Sequence, residues 1–111
     1  MKTINIKGKE YTPVNERVLE ALKEKKISIT TEIIQHTPNV VMRATVTTEK
    51  GVFTGTSWAN PTKSIEKSSP YEVAETSAVG RALGFAGYGI ISSIASSDEI
   101  IKAKEYNNEP F

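Results

Sequence analysis

Hydrophobic and polar positions along the chain follow two different periods. Ile4 and Ile6 alternate with polar neighbours, Gly8 supplies a turn, and Lys9, Glu10 and Tyr11 return, which predicts a short hairpin over 2–11. Thr12-Pro13 then opens a helix, because threonine can cap it and proline tolerates the first helical position. Val14, Val18, Leu19 and Leu22 form its apolar stripe, with Glu16, Glu20, Lys23 and Glu24 towards water and Lys25-Lys26 closing it. Residues 27–35 are rich in isoleucine and threonine and read as a strand, ended by Thr37-Pro38-Asn39. Val40 to Thr48 alternates, Lys50-Gly51 turns, and Val52 to Ala59 returns.

Register decides which face each residue occupies, since a slip of one residue exchanges the faces. With Lys50-Gly51 as a two-residue loop, Val46, Ala44 and Met42 lie opposite Gly55, Ser57 and Ala59 on a small apolar face. The other face then pairs Thr47 with Thr54, Thr45 with Thr56, and Arg43 with Trp58. A three-residue loop would instead turn Trp58 into the core; the two-residue loop is the expectation. After a polar loop over 60–69, Ser69-Pro70-Tyr71-Glu72 is a helix start with the elements of a capping box. This helix runs to about Phe85 with Ala74, Ala78, Ala82 and Phe85 along one side, small enough for close contact with the sheet. Gly84, Gly87 and Gly89 break the pattern, and Ser96-Ser97-Asp98-Glu99 offers a second capping box for a short helix ending near Tyr106. The expected architecture is α+β: a curved antiparallel sheet made of the N-terminal hairpin plus three longer strands, with helices packed on one face. The alternative is an OB-fold β-barrel variant, disfavoured by the early helix. Residues 1–104 form the expected domain and 105–111 an extended tail.

Composition narrows the chemistry. The 111 residues amount to one domain. With no cysteine, disulfides and thiolate metal sites are excluded, which suits a reducing cytoplasm. There is no apolar signal segment and no run long enough to span a bilayer, so a soluble cytoplasmic protein is expected. Net charge is only +1. Its distribution is uneven, with eleven Lys/Arg against seven Glu up to residue 70, and three against six acids after it. His36 is the only histidine and sits in a turn, so no catalytic constellation or histidine-rich metal site is expected. No Walker loop surrounds Gly80, Gly84, Gly87 and Gly89. No cofactor is called for, and an enzyme is not expected.

The run from Tyr71 to Gly89 (YEVAETSAVGRALGFAGYG), with Ser93 to Ile100 after it, resembles a group of small phage proteins found near recombination genes. The order hairpin, helix, three strands, Ala-rich helix is similar to the core of the Rad-fifty-two/ERF single-strand annealing superfamily. The last residues, Glu109-Pro110-Phe111, resemble the acidic Pro-Phe tip of bacterial single-stranded-DNA-binding proteins (SSBs), although Glu109 is the only acid in the last five positions. These resemblances imply a largely sequence-independent single-stranded DNA-binding protein of phage replication and recombination, with possible help to strand annealing. They also imply partners among replication or recombination proteins for the tip. The alternative is a protein-interaction factor that modulates host replication or recombination proteins without touching DNA.

Single strands are held by cations along the phosphates and flat side chains against the bases. Trp58 beside Arg43 on the open sheet face is the candidate stacking platform, its competing reading a half-buried or oligomer-contact tryptophan. Lys63 and Lys67 lie in the loop before the second helix, where they could close over a strand or simply be solvated. Arg81 could reach a phosphate or else pair with Glu72, Glu75 or a neighbouring subunit. Lys7, Lys9 and Tyr88 are secondary candidates. A homo-oligomer is expected, because a small near-neutral subunit with exposed strand edges is a weak DNA binder alone.

Overall fold

The computed structural model describes residues 1–62, 69–90 and 94–101. Its elements in chain order are β1 (Ile4–Ile6), β2 (Lys9–Tyr11), α1 (Val14–Ala21), β3 (Ser28–Gln35), β4 (Val40–Thr48), β5 (Gly51–Ala59) and α2 (Pro70–Phe85). The fold is α+β, as expected. The hairpin does not join the main sheet: β1 and β2 pair only with each other, and β3-β4-β5 form a separate antiparallel sheet. Among the described residues no sheet closes into a barrel, which removes the OB-fold alternative. No helix of the described residues is long and apolar enough to cross a membrane.

The faces of the sheet follow the alternation, but the partners differ from expectation. The β4–β5 loop is Glu49-Lys50, with Thr48 opposite Gly51, so every predicted pair is displaced by two residues. Val46 faces Phe53, Ala44 faces Gly55 and Met42 faces Ser57. A two-residue displacement preserves side-chain parity, so the same residues remain on the helix-covered face.

That face carries the core. Val40, Met42, Ala44, Val46 and Ala59 are buried with Val73, Ala74, Ala78, Ala82 and Leu83 of α2. Alanines and glycines bring the two layers unusually close. A Cβ added at Gly55 would come within 2.5 Å of the Ala82 backbone nitrogen and 2.6 Å of the Ala78 carbonyl oxygen. Phe85 departs from the predicted stripe: it is exposed, and the Arg81 guanidinium lies 5.4 Å from its ring centroid. Ser69 caps α2 by accepting the Glu72 amide. Its far end closes in a Schellman pattern, with Gly87 N–H donating to Gly84 and Tyr88 N–H to Leu83.

Half of the predicted stripe of α1 holds, since Val14 is buried and Val18 packs against the core; the rest is corrected. Val14, Arg17 and Ala21 are its buried residues, whereas Leu19 and Leu22 are 59% and 62% exposed. Arg17 belongs inward because its guanidinium replaces water with backbone carbonyls: Nη1 donates to Gly80 and Ile94, and Nη2 to Gly89 and Ala95. Thr12 does not cap α1. Its hydroxyl donates to the Gly89 carbonyl, and the Val14 amide is capped by Asp98, 2.8 Å away. The helix ends at Ala21, before Lys25-Lys26. A short helical turn at 97–101 follows Ser96, whose hydroxyl accepts the Glu99 amide as the second capping signal predicted.

Candidate functional site

The sheet face of β3-β4-β5 that no described helix covers is built by the outward positions of three strands. Its rows are Ser28–Thr47–Val52, Thr30–Thr45–Thr54, Glu32–Arg43–Thr56, and, past a bulge between Ile33 and Gln35, Gln35–Val41–Trp58. β-branched threonines and valines favour the pleated conformation here, and the hydroxyls keep the surface wettable. Trp58 is 47% exposed on this face. It stands opposite Val41, not Arg43 as predicted; Arg43 stands opposite Thr56. Trp58 is therefore the diagonal neighbour of Arg43, about 7–8 Å away between backbones and within reach of two long side chains. Arg43 is exposed and meets Glu32 at 3.5 Å, a contact that solvent screens strongly.

The remaining predicted residues are dispersed. Arg81 lies on α2, which packs against the opposite side of the sheet, and it meets Glu99 at 3.4 Å. It is thus separated from the Arg43–Trp58 face. Lys63, Lys67 and the tail residues Glu109, Pro110 and Phe111 lie outside the described residues. Lys7 lies in the first hairpin turn itself, with Gly8, and Lys9 begins β2 opposite Ile6. Tyr88 is half-buried after α2; burial, and secondarily the negative charge of Glu24, raises its pKa. His36 is not simply solvated. Its Nδ1 lies 2.8 Å from the Tyr71 hydroxyl, and the two rings meet edge-on, tying the β3–β4 turn to the start of α2.

Three features escaped the sequence pattern. Arg17 is fully buried, and desolvation lowers its pKa against the opposing effect of Glu99 and Asp98. Its signal was present in the spacing, since Val14, Arg17 and Ala21 lie on one helical face. Asp98 caps a helix 84 positions earlier, for which no local signal exists. The third is a lysine cluster where the β4–β5 turn approaches the loop after α1, formed by residues distant in sequence. Among the described residues no group of His, Cys, Asp and Glu side chains is arranged to hold a metal ion.

Fold and surface together define a small helix–three-strand–helix domain with both helices on one side and a polar, tryptophan-bearing sheet face on the other. The chain belongs to the family described as Slr1353 N-terminal dsRNA-binding domain-like, whose model matches residues 23–86. That match covers all three long strands and α2. No curated protein and no solved structure matches the chain.

Proposed function

We propose that this chain binds single-stranded DNA on the open face of its three-stranded sheet and serves DNA replication and recombination. The observation that carries this reading is Trp58, half exposed on the sheet face that no described helix covers and diagonal to the cationic Arg43. A flat sheet presenting an aromatic ring is an established way to stack unpaired bases, and a neighbouring guanidinium adds attraction for phosphate. The likeness of Tyr71–Gly89 to phage proteins near recombination genes supports the same role. The exposed edges of β3 and β5 suit self-association into a homo-oligomer. Glu109-Pro110-Phe111 would dock replication or recombination partners.

A second reading is favoured by the family's description, which names a domain like those that bind double-stranded RNA. Duplex RNA is recognised through shape, 2′-hydroxyls and phosphates, without base stacking on a side chain. Fluorescence anisotropy with labelled single-stranded DNA, duplex DNA and duplex RNA separates the two. The sheet-face reading expects the tightest binding to the single strand and a loss of about tenfold or more on Trp58→Ala, the size of one stacked base. Preference for duplex RNA, with Trp58→Ala neutral, would favour the second reading instead.

A further inference from the structure

Two open grooves meet at the end of the sheet where β4 turns into β5. One, of about 380 Å³, is lined by Lys26, Ile27, Ser28, Thr47, Thr48 and Glu49. Ser28 and Thr47 are the last cross-strand pair of β3 and β4 on the open face, so this groove continues that face. The second, of about 280 Å³, has Lys23, Lys25, Lys26 and Lys50 on its walls, with Tyr88 beside them. Lys26, Thr48 and Glu49 line both grooves, which makes them one path around the end of the sheet.

The charge on that path is positive. Four lysines share these walls with two carboxylates, Glu24 and Glu49. Lys23 is held by Glu20 at 2.9 Å. Lys25, Lys26 and Lys50 form no ion pair among the described residues, and all three are exposed. We propose that this lysine-walled end binds the phosphate backbone of a nucleic-acid strand leaving the sheet face past Lys26. The proposal rests on the open-face reading above and extends its site. From Trp58 to Gly51 the path along β5 is about 23 Å at the usual strand rise. That is about seven phosphates at the spacing of a stacked strand. A short oligomer held at Trp58 therefore cannot reach the lysines, whereas a longer one can.

The test compares the wild-type chain with Lys25→Ala/Lys26→Ala/Lys50→Ala, using thymidine oligomers of about two and about twenty nucleotides, which bracket ordinary site sizes. For the longer oligomer, the slope of log affinity against log salt should fall by about 2, from about 0.7 per lost phosphate contact on a single strand. Binding of the shorter oligomer should be unchanged. The control Lys2→Ala, whose side chain lines neither groove, should leave both slopes unaltered. Thermal melts of the variants, whose substituted side chains are exposed, verify that the fold is intact. An unchanged slope in the triple variant, or an equal loss per charge in the control, would overturn the extension alone. Failure of the wild-type chain to bind either oligomer would overturn the open-face reading and the extension together. Inorganic tripolyphosphate is the remaining arm: binding as tight as that of the longer oligomer would assign the lysines to free polyphosphates and overturn the strand-exit role.

Discussion

Arg17 joins parts of the chain that are far apart in sequence. Its Nη1 is 2.7 Å from the Gly80 carbonyl and 2.8 Å from that of Ile94, while its buried Nε has no hydrogen-bond partner among the described residues. Replacing it by methionine keeps the length of the side chain but leaves these acceptors dry. Each buried acceptor left unsatisfied costs on the order of 1–3 kcal/mol. Arg17→Met should therefore lower the thermal midpoint by about 8 °C or more, at about 4 °C per kcal/mol for a domain of this size. A melt indistinguishable from wild type would show that the carbonyl cage contributes nothing. Gly55→Ala tests the close approach of α2 to β5. The added methyl meets backbone atoms of Ala78 and Ala82, which cannot rotate away, so the helix must lift. The expected destabilisation is about 1–3 kcal/mol, read by denaturant titration, and a neutral result would contradict this packing.

Among the elements, α1 depends on a residue from the other end of the domain. Asp98 accepts the Val14 amide, and the Ser97 amide donates to the Thr12 carbonyl, so the turn at 97–101 docks against the start of α1. Asp98→Ala should cost about 1 kcal/mol, as loss of an N-cap does, and should speed hydrogen exchange at the Val14 amide. Unchanged exchange there would place the cap elsewhere. This arrangement shows why some elements were readable and others were not. The faces of β4 and β5 followed from alternation, and they survived a mistaken loop because a displacement of two preserves parity. The pairing of Trp58 with Val41 required knowing that Glu49-Lys50, not Lys50-Gly51, forms the loop. Half of the stripe of α1 was misread because a buried arginine looks polar and exposed leucines look apolar. Asp98 and the lysine cluster depend on contacts between distant segments, which no local pattern encodes.

At the scale of the whole molecule, the sheet separates two surfaces. One side is filled by α2 against β4 and β5, with α1 packed on α2. The other is covered by no described helix and bears Arg43, Trp58 and a row of threonines, and it runs on past Lys26 to the lysine-walled end. Net charge of +1 therefore understates the positive character of one route across the surface. Binding along that route should weaken steeply as salt rises.

Trp58 is the only tryptophan, so its emission reports directly on the open face. The most direct measurement is a titration of that emission with single-stranded DNA and with matched duplex DNA and RNA, at low and high salt. The account predicts saturable quenching by the single strand, tighter than by either duplex and weakened by salt. Tight binding that leaves the emission of Trp58 unchanged, or equal binding of a duplex, would contradict it.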